Sequence, residues 1–424
     1  MLLVGMSLLV ALVAAEALLR LIGYSHSSFY RADPYCGASL RPGAEGWWTK
    51  EGRSHVVINS QGLRDREHQF KKPEGTFRVA ILGDSYAEAL QLPWQKAFWS
   101  VMEQRLQTGC NTLKGKKVEV INFGVSGYGT AQELQTLRYK VWKYDPDLVL
   151  LAFLTGNDIR NNSRALEKDP MRPYFLLQEG TLVLDESFLK DKTYGFLSGE
   201  VARLAIMLLQ HSRILQLANA VRQRLKVLYS KEIRLGAVFG KPRGASKMVA
   251  SAENDVGLEN EIYTPPKNKV WSEAWAVTEA LILEMNKEVR NKKAMFLLAT
   301  LSNGPQVLPR KSDRDHFKES VGSVDLLYPD RRIEKLAKAN GIPFIMLAPH
   351  LRKWAEEHQR CVHGFENALP CGGHWNENGH QIAGKLLAEQ VCRMVHGGSE
   401  SPQIKSLEKT PRQGSAVGEH PTGS

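Results

Sequence analysis

The chain reads as an α/β protein: one domain built on a five-stranded, doubly wound parallel sheet, with an N-terminal membrane helix and a helical insertion. Three observations predict this. Five short apolar runs recur along the chain, each bounded by polar or glycine-rich punctuation, as buried strands are. Segments of helical period separate them, and strand–helix alternation is the mark of a parallel sheet. Finally, the first 22 residues carry an apolar stretch unlike anything that follows. With 424 residues, 43% hydrophobic and 24% charged, the composition is ordinary for one large domain with insertions or two smaller ones.

The first element is "MLLVGMSLLVALVAAEALLRLIGY". Met1–Ala15 carries no charge, but it falls short of the ~20 apolar residues of a simple span. Glu16 and Arg20 stand four apart on a helix and can pair. The apolar face then continues through Leu18, Leu19, Leu21 and Ile22, giving a signal-anchor over residues 1–23. Ala15-Glu16-Ala17 resembles a signal-peptidase site, so a cleaved leader is the alternative, and a buried soluble helix is a third reading. No Lys or Arg precedes the run, so flanking charge does not fix its orientation.

Residues 25–76 form a turn-rich lead-in, in which "GWWTKEGRSHVVINSQGLRDREH" suggests a short hairpin. Then come "VAILGD" with a helix over 94–108, "KVEVINFGV" with a helix from about Ala131 to Tyr144, and "DLVLLAFLTGND". An insertion, roughly 160–270, interrupts the alternation. Its "GEVARLAIMLLQHSRILQLANAVRQRLKVLYSKEIRLG" places apolar residues at helical spacing, with Arg and Lys opposite. Such a segment can lie on a membrane, cover a site as a lid, or pack back on the domain; packing back is the simplest expectation. "AMFLLATL" with a helix near 325–340, and "PFIMLAP" with a final helix from about Asn378 to Val395, complete a domain over 77–396. The tail from Gly397, rich in Ser, Gly, Pro and Lys, reads as disordered.

The net charge of +11 and pI near 9.3 suit anionic partners: phospholipid headgroups, acidic polysaccharide or nucleic acid. With no zinc-finger spacing and no RNA-binding aromatic pattern, nucleic acid is the weakest of these, and no nucleic-acid partner is expected. Five cysteines are too few for a disulfide scaffold. Cys361 and Cys371 flank a loop-like stretch and can pair in an exported domain, the alternative being buried free thiols. The odd count leaves at least one thiol free.

Chemistry concentrates at strand ends. The first strand ends in Gly83-Asp84-Ser85, the second in "NFGVSGYGT" (Asn122–Thr130) and the third in "TGNDIRNN" (Thr155–Asn162). "CGGHWNENGH" (Cys371–His380) leads into the last helix. Parallel strands bring such clusters to one sheet edge, where open α/β folds place their sites. Alone, Asp84 or Ser85 reads as a helix cap, and the glycine clusters as turns. Together they supply what ester cleavage needs: a hydroxyl beside an imidazole, and uncharged donors for a tetrahedral oxyanion. The histidines lack i, i+4 spacing and an accompanying carboxylate cluster, so no metal is expected.

In these four blocks the chain resembles the SGNH hydrolases, the GDSL-type esterases, over residues 77–396 outside the insertion. The resemblance implies a flavodoxin-like three-layer αβα fold that needs no cofactor. It implies Ser85 as nucleophile, whose own N–H joins the Gly127 N–H and the Asn157 side chain in an oxyanion hole, and His374 as base. His380, past the N-cap asparagines, is expected to pack. The anchor and the "INSQGLRD" lead-in look like a membrane-tethered, exported bacterial branch with relatives among polysaccharide O-acetyl-modifying enzymes. The implied substrates are ester-bearing or acylated glycans or lipids, met on the periplasmic or extracellular side.

One departure stands out. The family usually carries an aspartate two or three residues before this histidine, and here those positions are Gly372 and Cys371. Candidates for the acid are Glu366 on the preceding loop and Asp315, while a backbone carbonyl would leave a Ser–His dyad. Loss of the acid from a triad costs about 10⁴ in rate. A non-catalytic carbohydrate-binding or scaffold protein is therefore the competing reading.

Overall fold

The computed structural model describes residues 2–24, 29–222, 225 and 260–397. Helix α1 (Leu2–Leu21) opens the chain and is apolar enough to cross a membrane, with a mean hydropathy of 2.0 over Leu3–Leu21 and none of that window buried. The lead-in folds into two antiparallel hairpins, β1 (Tyr30–Asp33) with β2 (Gly37–Leu40), and β3 (Glu45–Trp48) with β4 (Ser54–Val57). They have a small core of their own. Phe29, Leu40, Val56 and Ile58 pack with Leu90, Val125 and Tyr128, residues of the loops that border the main sheet. The lead-in is thus built onto the domain.

The five apolar runs become β5 (Thr76–Gly83), β6 (Lys117–Asn122), β7 (Leu148–Phe153), β10 (Met295–Thr300) and β11 (Phe344–Met346). All pair in parallel, in the order β11-β10-β7-β5-β6. Counting sheet strands along the chain, that is 2-1-3-4-5, the three-layer flavodoxin-like order. Its switch point lies between β5 and β7, and the crevice outside their carboxyl ends is where such sheets bind ligands.

Alternate residues of the central strands point to opposite faces, and each face is covered. Val79, Ile81, Val120 and Leu150 meet α3 (Phe98–Gly109), α7 (Ala348–His358) and α8 (Glu377–Val395) through Trp99, Met102, Leu351 and Leu387. Ala80, Leu82, Ile121 and Leu151 meet α4 (Thr130–Tyr139), α5 (Lys269–Asn291) and α6 (Tyr328–Ala339) through Leu134, Leu281 and Ile333. Each fully buried aliphatic side chain contributes about 1.5–3 kcal/mol relative to exposure, and no strand end is free to drift. Cys110, just after α3, is bonded to Cys392 in α8, and Cys361 to Cys371, while Cys36 is a free, buried thiol.

The insertion differs from its sequence reading. It holds a hairpin, β8 (Tyr174–Gln178) with β9 (Thr181–Asp185), ahead of its longer helices. Helix Glu200–His211 was expected to pack back, yet it buries only Ala202. The disordered-tail reading concerns residues outside the described ones from 398 onward, as does part of the insertion.

Candidate active site

Between Thr76 and Leu92 every residue is buried except Ser85. The strand runs apolar to its end, Asp84 caps the single-turn helix α2 (Ser85–Glu88) by accepting from the Tyr86 N–H at 2.9 Å, and Ser85 emerges at the turn. A strand-to-helix turn of this kind lifts a hydroxyl to the sheet edge.

His374, the expected base, stands opposite. His374 Nε2 lies 2.8 Å from Ser85 Oγ. His374 is held by the loop before α8, whose N-cap Asn376 accepts from the Asn378 and Gly379 N–H groups and donates to the Cys361 and His363 carbonyls. Below the loop, Tyr86 Oη donates to the Gly373 carbonyl at 3.0 Å, and buried His363 bridges that carbonyl and Ser302 Oγ. Burial pushes the His363 imidazole down to about 4, so it serves as a neutral strut. His380 is also buried, with its Nδ1 accepting the Phe98 N–H at 3.1 Å and its ring stacked on Phe98. It makes no contact with Ser85.

The carboxylate that meets His374 comes from an unexpected place. Glu51, in the loop between β3 and β4, puts Oε2 2.5 Å from His374 Nδ1 and accepts the His374 N–H on Oε1 at 2.8 Å. Neither candidate acid from the sequence reading reaches the imidazole. Glu366 is exposed, and Asp315 pairs with Lys311 and Lys318 on a surface helix. Burial alone would raise the Glu51 carboxyl, but hydrogen bonds and charge from His374 outweigh it and hold it below the ordinary carboxylate value. The glycine at 373 now has a reason. Its φ is +68°, and a Cβ there would fall 2.2 Å from Glu51 Oε1. The carboxylate occupies the space that a side chain at 373 would take.

The hairpin tip is fastened to the domain. Asn367 accepts the Gly52 N–H at 2.8 Å and donates to the Thr49 and Gly52 carbonyls, while Trp48 Nε1 donates to the Glu51 carbonyl. The signals in the sequence were indirect: Gly372 and Cys371 where an acid is usual, and a glycine-containing turn after Trp47-Trp48.

The expected oxyanion side is bordered by two pinned loops. Gly127, at φ +78°, has its carbonyl held by Arg172 Nη2 at 2.9 Å, and among the described residues nothing accepts from its N–H. Buried Glu88, three residues after Ser85, accepts the Ser126 N–H at 3.0 Å, the Ser126 hydroxyl and the Tyr30 hydroxyl. Burial pushes its carboxyl up to about 7. Asn157 donates through Nδ2 to Asp84 Oδ2 at 3.2 Å, which leaves its second amide hydrogen available. Asp84 is itself raised by burial, as are the neighbouring carboxyls of Glu133 and Asp158. Among the described residues no group of three or more His, Cys, Asp or Glu side chains is arranged to hold a metal ion.

No family model and no curated protein matches the chain. Solved structures do. One is the acetyl xylan esterase AlAXEase, at 12% identity over 75% of this chain and 100% of that one, with a TM-score of 0.33. A catalytic mutant of Axe2, an acetylxylan esterase from Geobacillus stearothermophilus, matches at 10% over 75% and 94%, with a TM-score of 0.34. A GDSL-like lipase from Bacteroides thetaiotaomicron VPI-5482 matches at 14% over 76% and 88%, with a TM-score of 0.30. At such values the likeness assigns no activity, which has to rest on side-chain geometry.

Proposed function

We propose that this chain is an SGNH-type serine esterase or O-acyl transferase, acting through an acyl group carried on Ser85. The observation that supports it most is the continuous Ser85–His374–Glu51 relay, with spacings of 2.8 and 2.5 Å. Ser85 Oγ attacks the ester carbonyl while His374 Nε2 takes its proton, because a free serine hydroxyl is a weak nucleophile. The carbonyl oxygen gathers charge, which the Ser85 and Gly127 N–H groups and the Asn157 amide stabilise; one such donor is worth about 3–4 kcal/mol. His374 then protonates the leaving alcohol, and the acyl–oxygen bond breaks. Water or a sugar hydroxyl, deprotonated by the same imidazole, releases the acyl group. Glu51 holds the tautomer and steadies the imidazolium.

The competing scaffold reading drew on a missing acid, and Glu51 removes that motive. The proposed substrates are ester-bearing envelope carbohydrate or lipid. The proposed location is outside the cytoplasm, anchored by α1, since two disulfides suit an oxidising compartment. A fluorophosphonate probe tests the chemistry. Labelling of wild type is expected to vanish in Ser85→Ala and His374→Ala, with losses of about 10⁶ in rate for either. A folded wild type that does not label, or Ser85→Ala labelling equally, would overturn the reading. Assay of O-acetylated glycan with and without unacetylated acceptor then separates hydrolase from transferase.

A further inference from the structure

Glu16 and Arg20 sit badly in an apolar helix until their partners are seen. α1 is exposed along nearly all its length, and the hydrogen bonds it makes to the rest of the protein come at this turn. Glu16 accepts the Arg213 and Ile214 N–H groups at 3.0 and 3.1 Å, and the Ser212 hydroxyl at 3.2 Å. Arg20 donates to the His211 carbonyl at 2.6 Å and to Glu16 at 2.9 Å. Carboxylate thus meets the amino end of one helix and guanidinium the carboxyl end of another, the favourable sense of both dipoles. The corner between the two insertion helices neutralises the charges of the anchor.

That corner has a depth. Glu16 precedes the end of α1 by about 8 Å at 1.5 Å per residue, and interfacial helices sink about 5–10 Å into the headgroup boundary. Both helices that meet there turn apolar side chains away from the protein. Val201, Leu204 and Leu208 are 73%, 53% and 51% exposed, and Leu217, Val221 and Leu225 follow at one-turn spacing, at 39%, 48% and 60%. In water such a face would be a liability.

We infer that residues 200–222 form an interfacial platform, laid into the same membrane leaflet that α1 enters and joined to it through Glu16 and Arg20. This rests on reading α1 as an anchor. The occupant is lipid, because the exposed face continues from an unburied apolar helix whose charges this corner satisfies. The platform also borders the catalytic hairpin: a cavity of about 320 Å³ is lined by Arg20, Tyr24, Trp47, His55 and Arg213. Substrate ester would be met at the membrane surface.

The test uses the full chain in nanodiscs, one chain per disc, of phosphatidylcholine and phosphatidylglycerol doped with a lipid carrying a diazirine on its acyl chain. After illumination, adducts are mapped by mass spectrometry. Adducts are expected on α1 and on peptides covering 201–222, severalfold above those on α6. Leu204→Glu with Val221→Glu, checked for an unchanged circular-dichroism spectrum, should lose most platform adducts and keep those on α1. Adducts confined to α1 in the wild type would overturn the platform and leave the anchor standing. If α1 is unlabelled too, both readings fall. Cross-links between copies through 201–222 in discs holding two chains would assign the face to a second copy and also overturn the platform.

Discussion

The Ser85 turn and the Glu51 hairpin meet at one imidazole but are built by different means. Ser85 is fixed by the sheet: eight consecutive buried residues of β5 lead to it, and α2 begins on it. Glu51 is fixed by a few polar contacts on a five-residue loop, through Asn367 and Trp48. Core packing makes one partner immovable, whereas hydrogen bonds worth about 1 kcal/mol each hold the other. The proposed nucleophile is thus robust, and the proposed acid is the part that sequence change can tune.

The comparison can be broken most sharply at the acid. Glu51→Gln should keep the fold and lower the acylation rate by about 10⁴. Gly373→Ala should approach the same loss by pushing the carboxylate away, and the double variant should be no worse than Glu51→Gln alone. Additive losses in probe-labelling kinetics would mean that Gly373 acts by another route. On the sheet side, Asn157→Ala is expected to cost about 10²–10³ in kcat, with KM little changed, because the donor acts on charge that develops at the transition state. Asn367→Ala sharpens the hairpin half: releasing the tip should slow acylation by about 10- to 100-fold while the melting temperature stays close to wild type.

A separate effect is on stability and carries a sign. Glu88 is fully buried, and its carboxyl is raised from 4.5 to about 7. The folded state therefore holds a proton that the unfolded chain releases. Its contribution, about 3 kcal/mol, is present below pH 4.5 and is lost as pH rises through about 7. His363 works in the opposite sense. Lowered from 6.5 to about 4, it adds stability that is present above pH 6.5 and lost as pH falls toward 4. In urea unfolding at pH 5 and pH 8, Glu88→Gln should remove the loss on raising the pH and leave the His363 gain, so the variant gains stability at pH 8 over pH 5 relative to wild type.

How much of this could be read from the chain follows from the same contrast. The strands were legible because β5, β6 and β7 lie under helices on both faces and so read as unbroken apolar runs. Ser85, Gly127, Asn157 and His374 stood out because strand and helix boundaries in this fold gather at one edge. Glu51 carried no such label. Its lead-in has no long period, and its distance of 323 residues from His374 gives local pattern nothing to join. Gly372 and Cys371, where the family usually carries the aspartate, marked a missing acid without saying where it was. The outward face of helix Glu200–His211 was equally opaque, since amphipathic spacing shows that one side is apolar but not which side turns to the protein.

The 289 residues between Ser85 and His374 also set a clock. At about 5–20 residues per second, the ribosome takes roughly 15–60 s to follow the nucleophile with its base. During that interval Glu51 and Ser85 both exist, and neither can act. The proposed relay closes only when the loop before α8 seats against the β3–β4 hairpin, so Ser85 stays unarmed until His374 arrives.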